Sequence, residues 1–188
     1  MPAQSRAGLW PDGREWAISL TYDGALSEHL ELAGELNELG IEATFFASPT
    51  RILDDPLAWK QVAEKHEIGN HSLFGVADGG TLLNWNLEMI EADVLATSKL
   101  IASFTGTTCR SFALPGWSTH CAEGDYLATI QSQFPYVRSD RRVLIDFEDF
   151  DPTYIGSFPE DVFDLDKLID RARRNGAWIV LRADRVAN

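Results

Sequence analysis

Cysteine, basic charge and long apolar runs are all scarce in this chain, and each scarcity removes a class of function. Only two cysteines occur, Cys109 and Cys121, without C-x-x-C spacing, so a structural zinc knuckle is not expected. Two reduced thiols are the expectation, with a single disulfide as the alternative. Lys and Arg number 16 against 29 Asp and Glu, a net charge of -13. Nucleic acid needs a basic face for its phosphates, and an anionic membrane needs the same, so neither partner is expected. Neutral or cationic ligands such as sugars are compatible with that charge. No apolar stretch reaches the roughly 18 residues that span a bilayer. Met1-Pro2-Ala3-Gln4-Ser5-Arg6 leads into no apolar signal core, which makes a cytoplasmic location the default expectation.

What is present suits one domain over residues 1–188, with 1–14 as a polar lead-in: 188 residues, 45% hydrophobic and 24% charged, are ordinary for a soluble fold with a sizeable core. Trp16 to Thr21 is apolar, β-branched or aromatic at most positions and reads as a buried strand. It runs into Tyr22-Asp23-Gly24, where glycine permits a sharp turn. Leu26, Leu30, Ala33 and Leu36 then fall at helical spacing up to Gly40. Further strands are predicted at 41–47, 67–71, 108–114, 136–138 and 177–181. Helices are predicted from Asp55-Pro56 to about Lys65 and over 82–104, 123–133 and 165–174, with 75–80 as loop. Alternating strands and helices imply parallel pairing with right-handed crossovers.

Four predicted strands end in polar or turn-forming residues: Tyr22-Asp23, Asn70-His71-Ser72, Pro115-Gly116-Trp117 and Arg182-Ala183-Asp184. Each has a structural explanation, such as a helix cap, a backbone-bonded imidazole, a Pro-Gly turn or a frayed terminus. In a parallel barrel, however, these ends meet at one rim, where sites are built.

Three blocks, Ile18-Ser19-Leu20-Thr21-Tyr22-Asp23-Gly24, Ala43-Thr44-Phe45-Phe46 and His66-Glu67-Ile68-Gly69-Asn70-His71-Ser72, together resemble the polysaccharide deacetylase (NodB-homology, carbohydrate esterase) family. Weaker echoes are Phe112-Ala113-Leu114-Pro115-Gly116 and Trp178-Ile179-Val180-Leu181. The resemblance implies an α/β fold, a distorted and incomplete barrel of seven parallel strands with surrounding helices. It implies hydrolysis of an acetyl amide or ester on a sugar polymer or small acetylated substrate. Its chemistry uses two acids in T-F-D-D-G, one general base and one metal ligand, and two histidines in H-[ST]-x-x-H that reach the same zinc-like divalent ion. The metal polarises the carbonyl and acidifies a water, a backbone N–H holds the oxyanion, and a late histidine protonates the leaving group.

This chain departs from that pattern at several positions. Tyr22-Asp23-Gly24 offers one acid for two. Aligned from Thr21-Tyr22, Asp23 is the base and Gly24 stands at the lost ligand; aligned backwards from Ala43, Asp23 is the ligand. His71 is kept, Gly75 stands at its i+4 partner, Ala113 sits where the family carries Arg, and Asp184 replaces the late histidine. The candidate catalytic residues are Asp23, His71, Asp184 and Gly116, with Asp23 and His71 the surviving metal ligands. Candidate substrate contacts are Tyr22, Ser72, Trp85 and Trp117, with Phe147, Phe150 and Tyr154 as further aromatics. A catalytic zinc site takes about three protein ligands plus water, so a third must come from His29, His120, Asp78 or Asp184. His66 is expected to pack or bond to backbone. Two functions therefore compete: a deacetylase-like hydrolase, and a catalytically inactive relative that binds glycan or a protein partner. A nucleophilic hydrolase using Ser72 or Ser118 lacks a G-x-S-x-G elbow. The acidic run Asp146 to Asp151 is expected to be a solvated loop rather than a calcium site.

Overall fold

A computed structural model describes residues 10–73, 82, 84–162 and 164–184; the Trp117 side chain is outside that description, as are Gly75 and Asp78 and the predicted loop at 75–80. Among the described residues nine strands are interspersed with helices. They are β1 (Ala17–Asp23), β2 (Thr44–Ala47), β3 (Glu67–Asn70), β4 (Ser111–Ala113), β5 (His120–Cys121), β6 (Gly124–Asp125), β7 (Tyr136–Arg138), β8 (Phe158–Pro159) and β9 (Trp178–Ala183). The helices are α1 (Glu28–Glu38), α2 (Pro49–Ile52), α3 (Pro56–Val62), α4 (Leu87–Thr105), α5 (Leu127–Gln131) and α6 (Leu165–Asn175). Seven strands form one parallel sheet in the order β7-β4-β3-β2-β1-β9-β8, and β5 pairs with β6 as a separate antiparallel hairpin. The sheet curls into the incomplete barrel that the sequence implies. Residues 155–159 bring its edges together: Phe158 and Pro159 pair with β9, while Ile155 bridges to Arg138 and accepts the Ser139 N–H at 2.7 Å.

Alternation along the strands sorts residues between two environments. Phe45, Ile68, Phe112 and Val137 point outward and pack with Ala33, Leu36, Trp59, Val62, Val94 and Ile101 of the helices in the main core. A second cluster joins α6 to β9 through Leu168, Ala172 and Ile179. Ser19, Thr21, Thr44, Glu67, Ser111 and Arg138 point inward beside Phe46, Tyr136, Trp178 and Val180, so the barrel interior mixes polar and apolar side chains. That is unusual for parallel strands, which tend to be apolar on both faces.

Helix starts follow side-chain chemistry. Asp55 accepts the Ala58 N–H at 3.0 Å to open α3, and Asn86 accepts the Met89 N–H at 2.8 Å to open α4. The predicted helix over 82–104 thus begins at Leu87, because the Asn86 cap lies inside the apolar run. The predicted helix over 123–133 shortens to α5 because residues 120–125 form the β5–β6 hairpin. The short α2 and the two-residue β8 carry no sequence periodicity and were not predicted.

Candidate active site

Asp23 is the last residue of β1, and His71 directly follows β3, two strands away in the sheet. Gly24, at φ +93°, turns the chain off the strand and donates its N–H to Phe46 O at 2.8 Å. Asp23 and His71 are each 6% exposed, and the Asp23 carboxylate lies 4.0 Å from His71 Nε2. The His71 ring is fixed by Nδ1, 3.0 Å from Ala113 O. A carbonyl can only accept, so Nδ1 carries a proton and donates it, which leaves Nε2 as the ring atom that faces Asp23. The backbone after His71 is held by α4: Ser72, at φ +64°, donates its hydroxyl to Asp93 at 2.5 Å, and Leu73 N–H donates to the same carboxylate at 3.2 Å. Asn70 accepts the Ser72 N–H at 2.8 Å and donates to Val94 O at 2.9 Å.

The residue that dominates this site is Arg138, on β7. Its guanidinium is 2% exposed. Nη2 donates to both oxygens of Asp23 at 2.6 Å, and Nη1 donates to Thr21 Oγ1 at 2.7 Å. Thr21 in turn donates to Leu181 O at 2.8 Å. The guanidinium also stacks over the Phe46 ring at 4.6 Å, a cation–π contact out of water. Gly69 makes this stacking possible, because a Cβ there would stand 2.6 Å from the Phe46 ring. Ala113 is the direct cross-strand partner of Arg138. The guanidinium absent at position 113 thus enters the barrel from the neighbouring strand at the same level.

The other candidate residues are more scattered. Asp184 is exposed beyond β9; its charge, with those of Asp23 and Asp140, raises the Arg182 pKa against the larger lowering by burial and Arg138. Gly116 is exposed in the turn Pro115–Trp117 that follows β4. Tyr22 points away from Asp23, stacks on Phe45 at 5.4 Å, and has its hydroxyl pKa raised by burial and then by Glu160. Trp85 is half-buried against the main core. Phe150 meets Trp178, the first residue of β9, and Phe147 meets Trp10, both edge-on, at the opposite end of the strands from Asp23. His29 is fully buried beside Tyr22 and Phe45, with Nδ1 accepting the Leu26 N–H at 3.2 Å. His66 accepts the Ala43 N–H at 3.2 Å and packs edge-on to Phe45, in line with its expected structural role. His120 is exposed on the β5–β6 hairpin.

A model of the polysaccharide deacetylase family matches residues 11–133. The chain belongs to the polysaccharide deacetylase family. Its fold agrees with that assignment. A family 4 acetyl xylan esterase from Clostridium thermocellum, solved with a cobalt ion, superimposes with a TM-score of 0.57 at 18% identity, covering 90% of this chain and 74% of that one. A carbohydrate esterase family 4 pseudoenzyme from Bacillus anthracis gives 0.58 at 18% identity, covering 92% of this chain and 56% of that one. At such identities the likeness is one of fold, and it extends to an enzyme and to a pseudoenzyme alike. A gellan lyase from a Bacillus species is 31% identical over 106 residues, 55% of this chain, which spans 4% of that relative's length.

A divalent ion fits poorly among the described residues of this deacetylase-family site. Asp23 and His71 are joined by no third His, Cys, Asp or Glu within a common ligand set, and zinc sites need about three. Both Asp23 oxygens are already neutralised by a guanidinium, and unit like charges ~4 Å apart repel by about 4 kcal/mol at an effective dielectric near 20, more for a dication. Gly24, where the second acid of the motif stands in one alignment, holds a φ that an Asp side chain rarely adopts. Among the described residues no helix is long and apolar enough to cross a membrane.

Proposed function

We propose that this chain is a metal-independent, carbohydrate-binding member of its family in which Arg138 occupies the electrostatic role of the hydrolytic cation. The observation that carries this reading is the pair of 2.6 Å hydrogen bonds from Arg138 to Asp23. A carboxylate held this way is a poor metal ligand, because both of its oxygens are already engaged by a positive charge. Family membership and the matched segment of gellan lyase support a sugar polymer as the ligand. Metal analysis of purified protein, together with acetate release and affinity measurements on acetylated xylan and chitooligosaccharide, tests the proposal. The expected result is substoichiometric zinc, no acetate release, and glycan affinity that weakens in His71→Ala. Stoichiometric zinc with acetate release abolished by Asp23→Asn overturns it.

One observation favours hydrolysis instead. With Nδ1 bonded to Ala113 O, the His71 Nε2 atom is the one left to take up a proton as a general base would. On that reading acetate release persists in the presence of EDTA and disappears in His71→Ala.

A further inference from the structure

The lower half of the barrel contains a cavity of about 230 Å³ whose lining includes neither Asp23 nor His71. Its walls are the N-terminal residues of the strands: Thr44 of β2, Glu67 of β3, Ser111 of β4, Tyr136 of β7 and Trp178 of β9, with Ser19 near the start of β1. Arg138 and Phe46 also line it, and they lie between this cavity and the carboxylate of Asp23. We propose that this cavity is a second ligand site, shaped for a single neutral sugar ring.

The polar groups are fixed before any ligand arrives. Thr44 and Ser111 donate their hydroxyls to separate oxygens of Glu67, at 3.0 and 2.8 Å. A carboxylate offers about four acceptor positions, so these two bonds orient Glu67 and leave capacity for incoming hydroxyls. The Trp178 indole donates to Ser19 Oγ at 3.0 Å, leaving the Ser19 hydroxyl proton to donate in turn. Trp178 and Tyr136 add aromatic rings against which the C–H face of a sugar can pack. Glu67 accepts and Ser19 donates, so a ligand that does both, such as a polyol, satisfies the lining. The volume lies below the ~300 Å³ at which drug-sized pockets begin, which suits a ligand of about a dozen heavy atoms.

Saturation-transfer NMR on the full chain with methyl β-D-glucopyranoside tests the site. Wild-type protein is expected to bind. Glu67→Ala should weaken binding about tenfold or more, since it removes charged hydrogen-bond acceptors. Glu67→Gln, which preserves the side-chain volume, should show the same direction. Tyr136→Ala, at a position 37% exposed and therefore tolerant of truncation, should weaken it severalfold. Amide chemical-shift changes on titration should concentrate on Glu67, Ser111 and Tyr136 rather than on Gly24, His71 and Ser72, which separates the cavity from the upper site. Absence of binding by the wild type overturns the proposal. So does an affinity that ignores the Glu67 and Tyr136 variants.

Discussion

Arg138→Met removes the guanidinium while keeping an unbranched side chain inside the barrel. Three hydrogen bonds of 2.6–2.7 Å and the stacking on Phe46 disappear together. What remains is the Asp23 carboxylate, 6% exposed and without its counter-charge. Removing one partner of a buried ion pair typically costs 3–5 kcal/mol, because the other charge is left uncompensated. Against a total stability of about 5–15 kcal/mol for a domain, that is a large fraction. Asp23→Asn alone should cost a similar amount by orphaning the guanidinium. The double variant, which carries neither charge, should cost at least about 2 kcal/mol less than the sum of the singles. Urea unfolding of all four proteins, followed by tryptophan fluorescence and circular dichroism, measures the cycle. Singles that each cost under about 1 kcal/mol and add without coupling would refute the argument that this pair organises the site.

Burial holds the His29 imidazole below its usual pKa of 6.5, against the opposing pull of Glu28, Asp23 and Asp184. The unfolded chain therefore takes up a proton near pH 6.5 that the folded chain refuses. Stability from this group is complete above pH 6.5 and falls as pH drops toward the folded value; His29→Gln should flatten that slope in pH-dependent denaturation. Burial, then Glu67, pushes the Cys109 thiol up to about 12, so at pH 8 only about one thiol in ten thousand is ionised. It should resist Ellman's reagent until the protein unfolds, and rapid labelling under native conditions would contradict its burial. Gly69→Ala should destabilise by about 1–3 kcal/mol, because the new Cβ would meet Phe46 at 2.6 Å and Ser111 Oγ at 2.7 Å. Thermal unfolding that is unchanged from wild type would show that Phe46 moves aside freely.

The parallel alternation of strands and helices was legible from apolar runs ending in polar residues, and those strand ends together with the family resemblance pointed to the meeting of Asp23 with His71. The β5–β6 hairpin and β8 were not legible, since two-residue strands have no periodicity to detect. Arg138 was missed for a different reason. In Tyr136-Val137-Arg138 it looks like an ordinary strand-end cation, and only its register opposite Ala113 turns it toward Asp23. The usable signal was the absence of Arg at position 113, which asked where the missing charge had gone. Tyr22 was placed with the substrate contacts although its neighbour Asp23 already claimed the inner face, and strand alternation sends adjacent residues to opposite sides.

The segment matched to the family stops at residue 133, five positions short of Arg138. A fragment cut at that boundary would keep Asp23, His71 and Gly116 yet lose β7, β8 and β9. It would therefore expose the long edge of β1 and strand an acidic group in a half-closed shell. The matched segment thus depends for its charge balance on a residue that lies beyond it.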